Sequence, residues 1–524
     1  GGTKWSRPLT FHGEYALTGA LHRTGGSGSR TLLRRGEFLT NELKLKSEVV
    51  FPHDWRSITN VHLRKTPDPQ IDKRKDIHLL GLTSELYNKY ARLTVGDFFG
   101  DFSQYTVSQA LEGFQAAVRT ERINVKGVAA YSQRAREGKN FLRYVAGGHS
   151  EVQLVKEYKM IKDLRTGFNF TDVEDDHSTI GNTTGVADAS NRVASLTHHV
   201  LLWDRWETDT ELAKSWIDKD TSPETRVNRD TGSAVRLSSM GRISRKTKAK
   251  LGYEWVNAGF NTLAGSAIAD RVDFNGKIDH RWTRDLKSEA SYRVSYDKLE
   301  KSQLNKRTVT QVPRLALSWM PYDPVIGLRD FYVRGYWEKR SRVSQDDTTG
   351  QIDFMSDEFG LEDEFKLKRV NVISGWSLRD EDDDRQKVND RLINSGYLGV
   401  RMREKWFGME AAPNLRWQVN YENRPKEEGR DLTHTFSGGL GLQITKSIRL
   451  EQRYSLGTAS RLAHDSDSIR FNAYAALEYK LPSFIPGVGE KIFKISYEAV
   501  EFAHDVATER FTEHNAQAQF LWKF

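Results

Sequence analysis

The chain has 524 residues, with 79 Lys+Arg against 71 Asp+Glu, a formal net charge of +8, and no cysteine. The missing cysteine excludes disulfide frameworks, thiolate zinc sites, Cys nucleophiles, iron–sulfur clusters and covalently attached c-type haem. Only 37% of residues are hydrophobic although 13 Trp, 19 Tyr and 25 Phe are present, and no stretch supplies the ~20 apolar residues of a membrane-spanning helix.

The opening Gly1-Gly2-Thr3-Lys4-Trp5 lacks the apolar h-region of a signal peptide, as a processed product would. Strands are expected from about Phe11 onward. Polar runs read as connections between them: Arg23–Ser29, Pro67-Asp68-Pro69, Asp346–Gly350 and Arg379–Asp384, with Pro425, Pro482 and Pro486 marking others.

Val95–Phe102 followed by Leu111-Glu112-Gly113-Phe114 has two readings. It is either a loop folded into a lumen or a strand end with a glycine-rich bend and a tight turn; the second is the simpler expectation. Further on, Ile123, Val125, Gly127, Ala129 and Tyr131 alternate with polar neighbours such as Asn124, Lys126 and Ser132. Gly147-Gly148 and Gly438-Gly439 are expected at bends or close backbone approaches. Glu174-Asp175-Asp176 and Glu381–Asp384 lack the alternate carboxylates and central Gly of a calcium loop, and so read as solvated loop tips. His198 and His199 are adjacent on a strand and face opposite ways, so they cannot chelate one metal.

The second half repeats one grammar. Ala249, Leu251, Tyr253 and Trp255 alternate with Lys248, Lys250, Gly252 and Glu254. Ala290, Tyr292, Val294 and Tyr296 alternate with Ser291, Arg293, Ser295 and Asp297. Leu415, Trp417, Val419 and Tyr421 alternate with Arg416, Gln418, Asn420 and Glu422. The pattern returns in Ile448–Leu456, where only Gln452 breaks the apolar side, in Ile469–Lys480 and in Phe493–Ala499. Alternate residues of a strand project to opposite faces, so each segment has one apolar and one hydrated face.

A dry sandwich or propeller core would need dense Val, Ile and Leu on its inward face, and no fixed repeat marks a propeller or solenoid. Faces of aromatics and Ala opposite Arg, Lys, Glu and Asn instead fit lipid outside and water inside. The expected fold is all-β: a single transmembrane antiparallel up-and-down barrel of roughly 22–26 strands over residues 1–524.

The last strand, Asn515–Phe524, puts Ala516, Ala518, Phe520, Trp522 and Phe524 on one side and Asn515, Gln517, Gln519 and Lys523 on the other. It resembles the terminal strand of Gram-negative outer-membrane β-barrels, which ends in Phe after alternating apolar residues. That resemblance implies an outer-membrane location, contact with outer-membrane lipid and lipopolysaccharide, and recognition by the barrel-assembly machinery through Phe520, Trp522 and Phe524.

No Ser/His/Asp set, phosphate-binding glycine spacing or cofactor motif is present, so no enzyme, cofactor or metal is expected. Basic residues interleave with acids instead of forming one basic face, which argues against nucleic acid. Lys248, Arg293, Arg416, Arg449, Arg453 and Lys494 are expected to line the pore. The expected function is a large conduit working with a partner, such as a multihaem cytochrome or a lipoprotein, as in porin–cytochrome conduits, or with a transported polymer. The alternative is an open channel for hydrophilic solutes with a mild anion preference.

Overall fold

The computed structural model describes residues 9–524 apart from 28–30, 32–33, 73–75, 136–139, 180–187, 220, 222–229, 298–306, 324–326, 345–352, 385–388, 427–428, 462–465, 483–488 and 507–508. The expected connection at Asp346–Gly350 and Pro486 lie outside the described residues.

The first strands are β1 (Thr10–Gly26), β2 (Gly36–Val50), β3 (Arg56–Lys65), β4 (His78–Tyr87), β5 (Ala91–Asp101), β6 (Ser108–Arg119) and β7 (Ile123–Gln133). Next come β8 (Leu142–Tyr158), β9 (Ile161–Asp176), β10 (Ser190–Leu202), β11 (Trp206–Asp218), β12 (Asp230–Arg242), β13 (Thr247–Val256) and β14 (Arg271–Arg281). They are followed by β15 (Leu286–Asp297), β16 (Thr308–Trp319), β17 (Arg329–Ser344), β18 (Asp353–Leu367), β19 (Val370–Asp383) and β20 (Arg391–Met402). The last are β21 (Glu404–Trp406), β22 (Met409–Arg424), β23 (Gly429–Gln443), β24 (Ile448–Arg461), β25 (Ser466–Leu481), β26 (Lys491–His504) and β27 (Phe511–Lys523).

Each strand pairs antiparallel with its chain neighbour, except that β20 and β21 both pair with β22. β20 pairs with β22 as far as Arg401↔Asn414, and β21 continues the same strand against Ala411–Met409, so the sheet is a barrel of 26 strands. β27 returns to β1 from Glu14↔Lys523 to Gly26↔Phe511 and closes it. Gly13 N–H donates to the Phe524 carbonyl at 2.7 Å, and Phe524 N–H returns the bond at 2.9 Å. Closure leaves no edge along this seam, a condition for a sheet surrounded by lipid.

From β1 to β16 short and longer connections alternate. Tight turns such as Asn88–Tyr90, Thr120–Arg122 and Phe407-Gly408 gather at the end where β1 starts and β27 stops. Phe407 and Gly408 both have positive φ, 51° and 82°, as a two-residue hairpin of primed type requires. The longest connections, including Thr66–Ile77 and Asn257–Asp270, lie at the other end, although 320–328 and 482–490 join strands at the turn end.

The two faces follow the alternation. Phe168, Phe170, Leu251, Tyr253, Leu415, Trp417, Phe471 and Leu477 are exposed on the outside, where Leu415 shows 68% of its surface. An apolar band encircling the wall is what a bilayer-spanning barrel presents. Near the turn end Phe11, Trp522 and Phe524 form an outward aromatic cluster, with centroids 4.6 Å apart for Trp522–Phe524 and 6.0 Å for Phe11–Phe524. Such rings suit the interface level of a membrane.

Three expectations are corrected. Arg379–Asp383 belongs to β19 and does not form a connection, because alternate residues of the run enter ion pairs on the inner face. Glu174-Asp175-Asp176 ends β9; the Asp175 side chain is only 3% exposed and binds Arg143 at 2.7 Å. Arg23–Gly26 likewise continues β1.

The fourth correction concerns Val95–Phe102. Residues through Asp101 are in β5, but the tip that follows does not make a simple tight turn at the rim. Ser103, Tyr105, Thr106 and Val107 are buried against the inner wall, so the lumenal reading holds for the tip.

Candidate functional site in the barrel lumen

Register places the inward residues strand by strand. Gly399, Arg416 and Ser437 share a row, as do Tyr397, Gln418 and Thr435. Trp417 and Leu398 form the intervening outward pair. By the same parity Lys248, Arg293, Arg449, Arg453 and Lys494 lie on the polar face of their strands. Lys248 stands opposite Asp279, Arg449 opposite Glu478, and Glu478 opposite Lys494. Arg293 binds Asp273 at 2.7 Å. They fall in two groups: Lys248 and Arg293 on β13 and β15, and Arg416, Arg449, Arg453 and Lys494 on β22–β26, where Arg449 and Lys494 flank Glu478 and Arg449 and Arg453 line one concavity.

Between β16 and β23 the inner face carries an ionic ladder. Arg379 reaches Glu358 at 2.7 Å and Glu381 at 3.7 Å; Arg391 reaches Glu381 at 2.5 Å and Glu422 at 3.6 Å. Arg424 then joins Glu422 at 2.8 Å to Asp431 at 3.2 Å. Each pair is partly hydrated, so each contributes roughly 0–1 kcal/mol; the network chiefly fixes where charge is displayed.

Aromatic rings are set among the charges. Arg416 lies 4.6 Å from the Tyr397 ring centroid, Arg453 4.9 Å from Tyr474, and Arg314 5.2 Å from Tyr336. The cation sits over the negative face of each ring. Tyr397 and Tyr336 lie over Gly375 and Gly360, where a Cβ would overlap the rings. Arg453 still shows 65% of its side chain to the lumen. The cross-strand Gly–Tyr pairing was not read from the sequence; only the register brings those residues together.

The opposite arc is padded. The β5–β6 tip and the β13–β14 connection lie together on the inner faces of β7–β13, joined by Ser108 N–H to Ala264 O at 2.9 Å and Ser266 N–H to Gln104 O at 2.7 Å. Phe102, Val107 and Leu111 pack with Val128, Ala130, Val145, Val173 and Ala264. Tyr105 packs with Val193, Ala213, Ala234, Val256 and Phe260. The Tyr105 hydroxyl donates to Glu254 at 2.8 Å, and Gln104 donates to the same carboxylate at 3.0 Å. Burial, then the Glu254 carboxylate, push the Tyr105 phenol well above its usual range. Ser103 and Ser195 hydroxyls meet at 3.2 Å, and Asn169 ties Ser195 to His149. Gly147 receives the Phe102 ring, which fulfils the expected close approach.

His198 and His199 diverge as expected: His198 meets Thr166 and His199 meets Asp209 at 2.8 Å. His199, Glu207 and Asp209 do bring three potential ligand atoms within 4.8 Å of one another. That grouping comes from cross-strand pairing, which the adjacent-histidine argument did not consider.

No protein-family model and no curated protein sequence matches the chain. Among solved structures it is similar to OccAB4 of Acinetobacter baumannii, at 11% identity and TM-score 0.29, covering 98% of each chain. It is also similar to a mutant of the ferric enterobactin receptor PfeA of Pseudomonas aeruginosa, at 9% identity and TM-score 0.42, covering 98% of this chain and 80% of that one. The translocation pore of the P pilus usher PapC is similar at 12% identity and TM-score 0.30, covering 97% of this chain and 99% of that one. The fold assignment rests on this chain's own register and closure.

Proposed function

We propose that the protein is a large conduit across a Gram-negative outer membrane, and that its lumen works around a partner from another chain or a transported polymer. The observation that carries this reading is the size of the closed wall against what covers its inside. With 26 strands, ~4.8 Å between strands and a tilt of ~40°, the perimeter is ~160 Å and the backbone-to-backbone width ~50 Å. About 16–18 strands already make an aqueous channel for small solutes.

Among the described residues, the docked β5–β6 and β13–β14 segments pad one arc, while Arg293, Arg416 and Arg453 elsewhere remain open to water. A bore this wide left empty would breach the permeability barrier. The mixed charge of the ladder supports a polar partner surface, such as a multihaem cytochrome or a lipoprotein, better than a greasy one. The turn end would face the periplasm, since outer-membrane barrels keep their short turns there. Phe520, Trp522 and Phe524 would serve as the signal for the assembly machinery.

The test is purification from native membranes with a haem stain and mass spectrometry, followed by reconstitution in planar bilayers. A stoichiometric co-purified protein, with large conductance only after it is stripped, supports the conduit. Steady large conductance from a barrel that carries no partner supports the open channel instead.

A further inference from the structure

Two lapses in strand pairing fall at the same height of the wall. β4 pairs with β5 over five rows only, from Tyr87↔Arg92 to Thr83↔Gly96, so His78–Leu82 and Asp97–Asp101 have no register partners across that seam. On the other side β6 pairs with β7 only up to Glu112↔Tyr131, leaving Ser108–Leu111 paired with β5 alone. The upper part of the β5–β6 hairpin is thus detached from both neighbours while remaining intact within itself. Its tip is the segment buried on the inner faces of β7–β13. On the β7 side of this gap in the wall, a concavity of about 390 Å³ between the hairpin and β7 is lined by Asp97, Phe99, Glu112, Tyr131 and Arg134.

The line where the hairpin leaves the wall is a pair of glycines. Gly96 and Gly113 are register partners. Gly96 has φ of 102°, a conformation that L side chains rarely adopt, and a Cβ there would overlap the Leu82 carbonyl oxygen. A Cβ on Gly113 would meet the Ala130 backbone. Beside this line Asp97 takes over part of the missing ladder, accepting Leu82 N–H at 2.7 Å. The docked position is equally built for: Gly265 lets the second connection approach the Tyr105 carbonyl, and Gly232 does the same for Phe260.

We propose that residues 97–111 form a tongue hinged at Gly96 and at Glu112-Gly113, which alternates between its lumenal dock and the gap in the wall. In the wall position the Thr83↔Gly96 register would continue, setting Leu80 against Phe99 and restoring the β4–β5 ladder. Leaving the dock would uncover the inner wall of β7–β13 and widen the lumen. The gating consequence rests on the conduit reading; the hinge itself does not.

The chain contains no cysteine, so paired substitutions report cleanly. Ser103→Cys with Ser195→Cys, whose hydroxyls lie 3.2 Å apart, locks the dock; Leu80→Cys with Phe99→Cys traps the wall position. Heat-modifiable migration confirms that each variant has folded. Both pairs should cross-link under oxidation in lipid vesicles, visible as shifted gel mobility. In planar bilayers the oxidised Ser103/Ser195 variant should conduct less than after reduction, by about twofold or more. The hinge is overturned if Leu80/Phe99 never cross-links in folded barrels, or if Ser103/Ser195 does not. Cross-linking of both pairs with no change in conductance would retain the hinge and overturn the gating.

Discussion

Substituting Ala475 by Arg should separate the two faces of the wall in energetic terms. Ala475 lies in the interior of β25 on the outward row that contains Ile469, Phe471, Ala473 and Leu477, and its cross-strand neighbours are Tyr497 and Gln452. A guanidinium there must be dehydrated or must deform the bilayer, which costs ~2–4 kcal/mol near the midplane of a barrel. That corresponds to a folding constant reduced by a factor of about 30 to 1,000. Asn472→Arg adds the same side chain three residues away on the inward row beside Ser455, in a hydrated concavity where Glu451 and Glu498 offset Arg449 and Arg453, and it gives up the bond accepted from Arg470. Its cost should stay within about 0.5 kcal/mol, the ordinary range for a solvated substitution. Reversible urea titration of the barrel in phospholipid vesicles, followed by tryptophan fluorescence, measures both. Equal penalties at the two positions, or a larger one for Asn472→Arg, would refute the assignment of faces on which every lumenal statement depends.

Deleting Phe524 removes the Gly13–Phe524 clasp and one ring of the outward cluster, and replacing Phe520 and Trp522 by Ser removes outward apolar area; each should reduce insertion severalfold in cells, which surface protease protection reports. Reversing Arg416, Arg449 and Arg453 to Glu should move reversal potentials toward cation preference in an open barrel, and should weaken retention of a co-purified partner in a filled one. Tyr105→Phe leaves the Glu254 carboxylate with one donor fewer and should cost ~1–3 kcal/mol, seen as lower yield of the Ser103/Ser195 cross-link. Because the Tyr105 phenol is raised, its contribution to docking should be complete below the ordinary phenol pKa near 10. It should decline as pH rises beyond that value, and the same cross-link yield measured against pH, with Tyr105→Phe as control, checks the sign.

Alternation made the strands legible because a barrel wall imposes opposite solvents on successive residues; Leu415–Glu422 could be assigned with no neighbour in view. The same rule misled where a strand runs into strongly charged sequence. Arg379–Asp383 reads as a connection when acids are taken as turn residues, yet Arg379 and Glu381 find partners on β18 and β20. A water-filled interior lets ionised residues remain in a strand, so charge does not punctuate such a wall as it would a dry core. The lumenal tip was harder. Ser103 is held by a residue 92 positions away and Tyr105 by ones 106 and 149 away, so no local pattern announces the dock. The Gly96–Gly113 hinge was visible as two glycines, and became meaningful only when the register placed them opposite each other.

Closure also sets an order of assembly. Among the described strands, every pairing in the wall joins strands adjacent in the chain, with β20 and β21 counted as one, except the seam of β1 with β27, where Gln519 meets Thr18 across 501 positions. The sheet can therefore grow by adding hairpins, each close in sequence and inexpensive in chain entropy. Throughout that growth two raw edges persist, β1 and whichever strand came last, each able to pair with a foreign strand. Among the described strands, β27 is the one that pairs with this edge of β1. A sheet that has not yet formed β27 is an open, adhesive ribbon, and whatever holds β1 until Glu14–Gly26 meets Phe511–Lys523 must protect that edge.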